Sequence, residues 1–210
     1  KLNKMYHNNS IIRSINFIYN SIFKYLNNIS IDLEDDGDKE TLKRLNSQNS
    51  KGLGTVWLLN LKRLYKIFIK NNYDEKKYHF LDVGCGNGIP LIYAYKRFKF
   101  KSYSGFDFEK KYVENSKKNL KSSIKNKCII NIFHQNAKNY ILHENKPFFI
   151  FMFNPFNKLI MKKFLENNIK ILIKNKSVIA YCNCIELEEI KNFCNNITFI
   201  KKYKLALIRF

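Results

Sequence analysis

Proline and glycine are scarce in this 210-residue chain, with three of the first and seven of the second. That scarcity excludes collagen-like and linker-like compositions and makes each remaining position informative. Three of the seven glycines fall within five residues, at 84, 86 and 88. No apolar run reaches the ~18 residues of a bilayer-spanning helix, so no transmembrane segment is expected. The five cysteines (85, 128, 182, 184 and 194) are odd in number and form neither a CxxC pair nor a dense scaffold. They read as reduced thiols in a cytoplasmic protein. The four histidines (7, 79, 134 and 143) lack zinc spacing, and no metal site is expected. No signal-peptide pattern opens the chain, and Lys1 rather than Met stands first, as in a trimmed chain.

Acidic residues are also few: 17 Asp and Glu face 38 Lys and Arg, a formal charge of +21. Arginine supplies only 5 of those cations, and 33 Lys stand beside 29 Asn and 27 Ile. An AT-rich coding sequence produces that mixture, whereas nucleic-acid sites cluster their charge and favour Arg. Residues 1–70 hold 12 basic and 6 acidic residues and residues 71–210 hold 26 and 11, so no segment monopolises the charge. Nucleic acid is therefore a possible partner and not the favoured one. Attraction to anionic surfaces follows either way. With 45% hydrophobic and 15% aromatic residues, the chain can build a core, and its length suits one domain with an appendage.

Residues 10–29 repeat apolar positions at helical spacing (Ile11, Ile15, Ile18, Ile22, Tyr25, Leu26) and predict an amphipathic helix, suited either to packing on the core or to a dimer contact. Residues 30–54 are polar and read as a loop. Within it Asp32, Glu34, Asp36 and Gly37 imitate half of a calcium loop. Lys43 stands where the bidentate acid is needed, so an acidic surface loop is the better reading. Residues 55–70 predict a helix capped by Thr55. From Tyr78 onward short apolar runs alternate with amphipathic stretches. Strands are predicted near 78–83, 101–107, 129–134, 147–153, 177–183, 197–203 and 205–210, and helices over 88–99, 109–124, 157–174 and 185–193. This alternation predicts βαβ units in a mostly parallel sheet, closed by an antiparallel pair because no helix fits between the last two strands.

The segment 80–90, FLDVGCGNGIP, carries the most chemistry. An apolar strand ends at Asp82-Val83, glycines follow, and Pro90 suits the first turn of a helix. Glycines there let the chain turn sharply and let a ligand approach N–H groups at a helix start. The spacing is GxGxG. A dinucleotide fingerprint would need glycine at 89, where Ile89 stands, and no Lys-Ser/Thr follows to make a P-loop.

LDVGCGNG resembles the first motif of class I S-adenosylmethionine-dependent methyltransferases. The resemblance implies a Rossmann-like α/β fold with a seven-stranded, mostly parallel sheet, an antiparallel last strand and helices on both faces. Residues 55–210 would form this domain and residues 1–54 an N-terminal helix-and-loop extension. It also implies that Gly84, Cys85, Gly86, Asn87 and Gly88 pack against the methionine part of S-adenosylmethionine and that Asp82 orients its ammonium. Asp107 lies 25 residues after Asp82 and ends the second strand, where an acid hydrogen-bonds ribose hydroxyls. Phe108 is placed either to flank the adenine or to pack in the core. Asn136-Ala137 stands where relatives have Asp-Ala; the Asn amide oxygen can still accept from the adenine amino group.

The fourth strand runs into Asn154-Pro155-Phe156, where this fold places its reaction site. The triplet resembles the Asn-Pro-Pro-Tyr/Phe signature of enzymes that methylate amino nitrogens on planar groups, with one proline missing. The resemblance implies that the Asn154 side chain, also close to the cofactor, and the Pro155 carbonyl hold the amino group while Phe156 stacks on the target. Asp32-Leu33-Glu34, Gly54-Thr55 and the Ala180-Tyr181-Cys182-Asn183 strand end further resemble bacterial methyltransferase-domain proteins of uncertain substrate. On that likeness, residues 47–57 would close over the pocket. His134 and Glu186 are further candidates near the sheet edge. The expected function is methyl transfer to an unidentified acceptor, with a slight preference for nitrogen on a small molecule or protein. A nucleic-acid methyltransferase and a non-catalytic binding module are the alternatives.

Overall fold

The computed structural model describes residues 10–30, 56–124, 130–142 and 145–210. Helix α1 (Ser10–Leu26) and helix α2 (Leu58–Lys70) precede an alternating α/β series. The series runs β1 (His79–Val83), α3 (Ile89–Arg97), β2 (Ser102–Asp107), α4 (Lys110–Ser123), β3 (Ile130–His134), β4 (Phe148–Phe153), α5 (Lys158–Lys174), β5 (Val178–Cys182), α6 (Leu187–Lys191), β6 (Ile197–Ile200) and β7 (Leu205–Arg209). The seven strands form one sheet in the order β3-β2-β1-β4-β5-β7-β6. β7 is antiparallel to both its neighbours, and the pairs linking β1 to β5 and β3 are parallel. The predicted sheet and its antiparallel end are thus observed. The strand predicted over 197–203 stops at Ile200, because Lys201–Tyr203 curl into a 3-10 turn and Lys204 adopts a left-handed φ of 49°. Tyr203 is there covered by the Arg63 guanidinium, 4.1 Å from its ring centroid.

The central strands β1, β2, β4, β5 and β7 are buried on both faces, as strands covered by helices on each side are. Alternate residues sort the core into two layers. Phe80, Phe149, Phe151, Val178 and Ala180 pack under α2 and α3 through Leu58, Leu61, Leu64, Phe68, Leu91 and Ile92. Leu81, Val83, Ile150, Met152 and Ile179 pack over α5 and α6 through Met161, Phe164, Leu165 and Ile190. His79 is buried within the sheet, its two ring nitrogens each 2.6 Å from a hydroxyl, of Ser102 and Ser104 on the neighbouring strand.

Helix α1 forms as its periodicity predicts, but its apolar stripe does not meet the core. The helix docks through its opposite, polar side. Asn16, Asn20 and Phe23 are buried, while Ile11, Ile15, Ile18, Ile22, Tyr25 and Leu26 face outward. The Tyr19 hydroxyl meets that of Tyr93 at 2.9 Å, and the Phe23 ring sits edge-on to Tyr93 at 5.1 Å. Asn20 accepts from the Leu58 N–H at 3.2 Å and donates to the Val56 carbonyl at 2.6 Å. The expected cap of α2 therefore differs from the observed one. The helix begins at Leu58, with Trp57 before it making no side-chain cap bond, and its first N–H is satisfied from another helix. Thr55 lies outside the described residues, as do the acidic loop at 32–37 and residues 47–55.

Candidate active site

Sheet order reverses between β1 and β4: chain progression runs outward from β1 through β2 to β3 on one side and through β4 to β5 on the other. Open α/β sheets bind ligands in the crevice outside such a switch point. The glycine turn and the Asn154-Pro155-Phe156 segment both stand at this edge, and they touch. A methyl group added at Gly84 would lie 2.6 Å from the Pro155 Cβ, and Gly84 has a left-handed φ of 73°. Only glycine fits there on both counts.

The turn is tied down from three sides. The N–H groups of Gly84 and Cys85 both donate to the Phe106 carbonyl, at 2.9 and 3.0 Å. Gly86 donates its N–H to the Asp107 carboxylate at 2.9 Å. From α4, Ser116 donates to the Gly86 carbonyl and Asn119 donates to the Asn87 carbonyl at 3.1 Å. Gly88, with φ of 74°, leads into α3, where Pro90 takes a first-turn position. The Cys85 side chain is buried against β2, and burial pushes its thiol pKa well up, so it is a packing residue rather than a thiolate.

Two carboxylates are buried at this edge. Asp82 is 2% exposed, and one of its oxygens has no hydrogen-bond partner. Burial, then the neighbouring charge of Asp107, push its pKa well above the ordinary carboxyl value. Asp107 is raised to about 6 by burial, opposed by the N–H groups of Glu109 and Gly86 that it accepts. Asn87 Oδ1 is likewise buried without a partner. Buried polar atoms in native proteins are normally paired. Acceptor oxygens left open beside a glycine turn fit a ligand that brings donors and positive charge. The ammonium, sulfonium and ribose hydroxyls of S-adenosylmethionine meet that description.

The remaining predicted residues fall in different settings. Phe108 is half-buried and belongs to neither core layer, while its carbonyl accepts from His134 at 2.6 Å. Asn136 is exposed and Ala137 buried, at the start of a 3-10 turn where Asn136 Oδ1 accepts from the Lys138 N–H at 2.9 Å. Asn154 is buried and left-handed, with φ of 42°. Its Oδ1 accepts from the Tyr181 hydroxyl at 3.3 Å. Phe156 is buried in the core layer beside α5, its ring centroid 6.4 Å from that of Phe164.

The structure brings to this edge Ser116 and Asn119, which sequence reading passed over, and Tyr181 and Asn183, which it had named only as part of a strand-end likeness. Ser116 and Asn119 are three apart on the buried side of α4, which they share with Tyr112, Val113 and Asn115. That polar pair facing inward was the available signal. Tyr181, the penultimate residue of β5, lies beside Asn154, and Asn183 shares the left-handed conformation, with φ of 49°.

Residues 80–174 match the family model described as a methyltransferase domain. No curated protein matches the sequence significantly. Among solved structures, the human methyltransferase 10 domain containing protein is similar over 94% of this chain and 95% of that one, at 12% identity and a TM-score of 0.59. The pyocyanin biosynthetic protein PhzM is similar over 70% of this chain and 54% of that one, at 11% identity and a TM-score of 0.50. The M. capricolum TrmK structure, in complex with S-adenosyl-homocysteine, aligns over 70% of this chain and 66% of that one at 14% identity, with a TM-score of 0.48. At such identities the structural likeness speaks for the fold, and the domain match joins it to the glycine-turn edge. Over residues 80–174 the chain is thus similar to methyltransferase domains, and its sheet has the Rossmann-like order of that fold.

Proposed function

We propose that this chain transfers the methyl group of S-adenosylmethionine to a nitrogen on a small molecule or protein. When bound, S-adenosylmethionine supplies an electrophilic methyl carbon and a good leaving group. The chain's own part is to bind, align and exclude water. Asp82 receives the ammonium, relieving a buried carboxylate that lacks a donor. Asp107 receives the ribose hydroxyls from the end of β2, where it also holds the Gly86 N–H. Gly84, Cys85, Gly86, Asn87 and Gly88 form the wall. Phe108, with Asn136 and Ala137, flanks the adenine.

The reading is carried by Asn154. It stands at the carboxyl end of β4, next to the residue that touches Gly84, and its amide is oriented by Tyr181. An oriented amide and the Pro155 carbonyl can hold an amino group with its lone pair directed along the line of displacement. A hydroxyl acceptor would need a general base as well. Phe156, turned into the core, acts as the floor beneath that turn.

Asn154→Ala tests the assignment. Turnover with labelled S-adenosylmethionine should fall at least about a hundredfold, in the range that loss of reactant alignment costs, while cofactor affinity changes little. Acceptor fractions of small molecules, proteins and RNA are assayed side by side. Retained turnover in the variant removes Asn154 from the reaction, and label entering RNA alone would favour a nucleic-acid acceptor.

A further inference from the structure

Helix α1 presents an apolar side to solvent, and its surroundings specify what can cover it. Ile11, Ile15, Ile18, Ile22, Tyr25 and Leu26 form one stripe along the helix and are 53–84% exposed. The stripe runs most of a 17-residue helix, about 25 Å at 1.5 Å per residue. Isolated exposed apolar residues are ordinary, but a continuous row of this length marks an interaction surface. The opposite side of α1 is fixed to the body by Asn20, Tyr19 and Phe23, and beyond the helix Ser122 and Ser123 donate to the carbonyls of Asn28 and Asn27. The stripe therefore stays outward while the protein remains folded.

The charge carried by α1 and the two helices packed beside it has one sign, with Glu75 the acid that meets them, through the Tyr65 hydroxyl. Helices α1, α2 and α3 contain no Asp or Glu. They carry Arg13, Lys24, Lys62, Arg63, Lys66, Lys70, Lys96 and Arg97. α1 packs on α2, and α2 on α3, so these cations share one side of the molecule. An apolar helical stripe flanked by cations, on a chain of net charge +21, is complementary to an anionic, acyl-lined surface.

We propose that α1 is an interfacial helix that seats this protein on an anionic phospholipid membrane. The aliphatic stripe enters the headgroup–acyl boundary while the basic side of α1–α3 meets the headgroup charge. A second copy fits less well. Two helices of this length meeting along the stripe bury less than the ~1,200 Å² of a stable interface, and each chain repels the other. Nucleic acid fits less well too, because isoleucine offers neither hydrogen bonds to phosphate nor a plane for base stacking.

Co-sedimentation of the full chain with vesicles tests this. Vesicles of phosphatidylcholine with about 30% phosphatidylserine should retain the protein, and pure phosphatidylcholine should not. Ile18→Asp combined with Ile22→Asp should lower partitioning at least about tenfold. Both positions are exposed, so the thermal midpoint should be unchanged, which separates loss of docking from loss of fold. Wild-type binding by the double variant would mean that charge alone adsorbs the protein and would overturn the proposal. So would absence of vesicle binding. Stripe-dependent dimerisation without lipid, or stripe-dependent retention of RNA, would assign the face to another occupant and overturn it as well.

Discussion

The Asp107 carboxylate accepts the Gly86 N–H at 2.9 Å, joining the end of β2 to the middle of the glycine turn. Burial raises this carboxyl to about 6, above an ordinary value near ~3.9. The sign follows directly. The ligand-free fold binds this proton more tightly than the unfolded chain, so the associated stability is full below ~4 and is lost as pH rises through about 6. A cationic cofactor carrying hydroxyl donors prefers the ionised form. Its affinity should therefore rise as pH rises through about 6, by up to about tenfold per unit below that value. Titration calorimetry in buffers of different ionisation enthalpy should register proton release near pH 6. A flat affinity between pH 5 and 7 would contradict this assignment.

Gly84→Ala should be costly out of proportion to one methyl group. The left-handed φ and the 2.6 Å approach to Pro155 add backbone strain to overpacking. Together these are worth about 2–4 kcal/mol. For a chain of this length the thermal midpoint should fall by roughly 4–16 °C.

Tyr181→Phe removes only a hydroxyl, which donates to Asn154 and accepts from the Glu186 N–H, both at 3.3 Å. If Asn154 aligns the acceptor, kcat should fall about tenfold, the worth of one oriented hydrogen bond. KM for S-adenosylmethionine should stay near wild type. An equal loss in cofactor affinity would place Tyr181 in general packing instead.

Asn119 spends its whole amide on two partners. Its oxygen accepts from the Ser30 N–H and hydroxyl at 3.0 and 3.3 Å; its nitrogen donates to the carbonyls of Ser30 and Asn87 at 3.0 and 3.1 Å. The segment after α1 and the glycine turn are thus held by one buried side chain. Asn119→Ala should destabilise the protein by about 1–3 kcal/mol, the cost of leaving buried groups unpaired. It should also weaken S-adenosylmethionine binding. Denaturant unfolding and calorimetry on the same variant check both.

Much of the fold was legible because strand and helix periodicities differ so sharply after Tyr78. Boundaries moved by only a few residues at most ends, and the antiparallel pair followed from the lack of room for a crossover helix. α1 was legible as a helix and misleading as packing. Periodicity reports that a stripe exists, but not whether the apolar or the asparagine-lined side meets the body. The α2 cap was hidden because its acceptor, Asn20, lies 38 residues away in sequence. The glycine turn could be read because it is local and covalently spaced. Ser116 and Asn119 reach the same edge only through tertiary folding, signalled in sequence by no more than a polar pair three apart, and the contact of Tyr181 with Asn154 depends on the pairing of β4 with β5.

The central claim is that the turn from Asp82 to Gly88 binds S-adenosylmethionine. Its most direct test is calorimetric titration of the purified chain with S-adenosylmethionine and with S-adenosyl-homocysteine, beside Gly86→Asp. That variant forces a side chain and a second negative charge onto a residue with φ of 52° next to Asp107. The account predicts micromolar binding of both ligands to the wild type and none to the variant. A folded wild-type chain that binds neither ligand would contradict it.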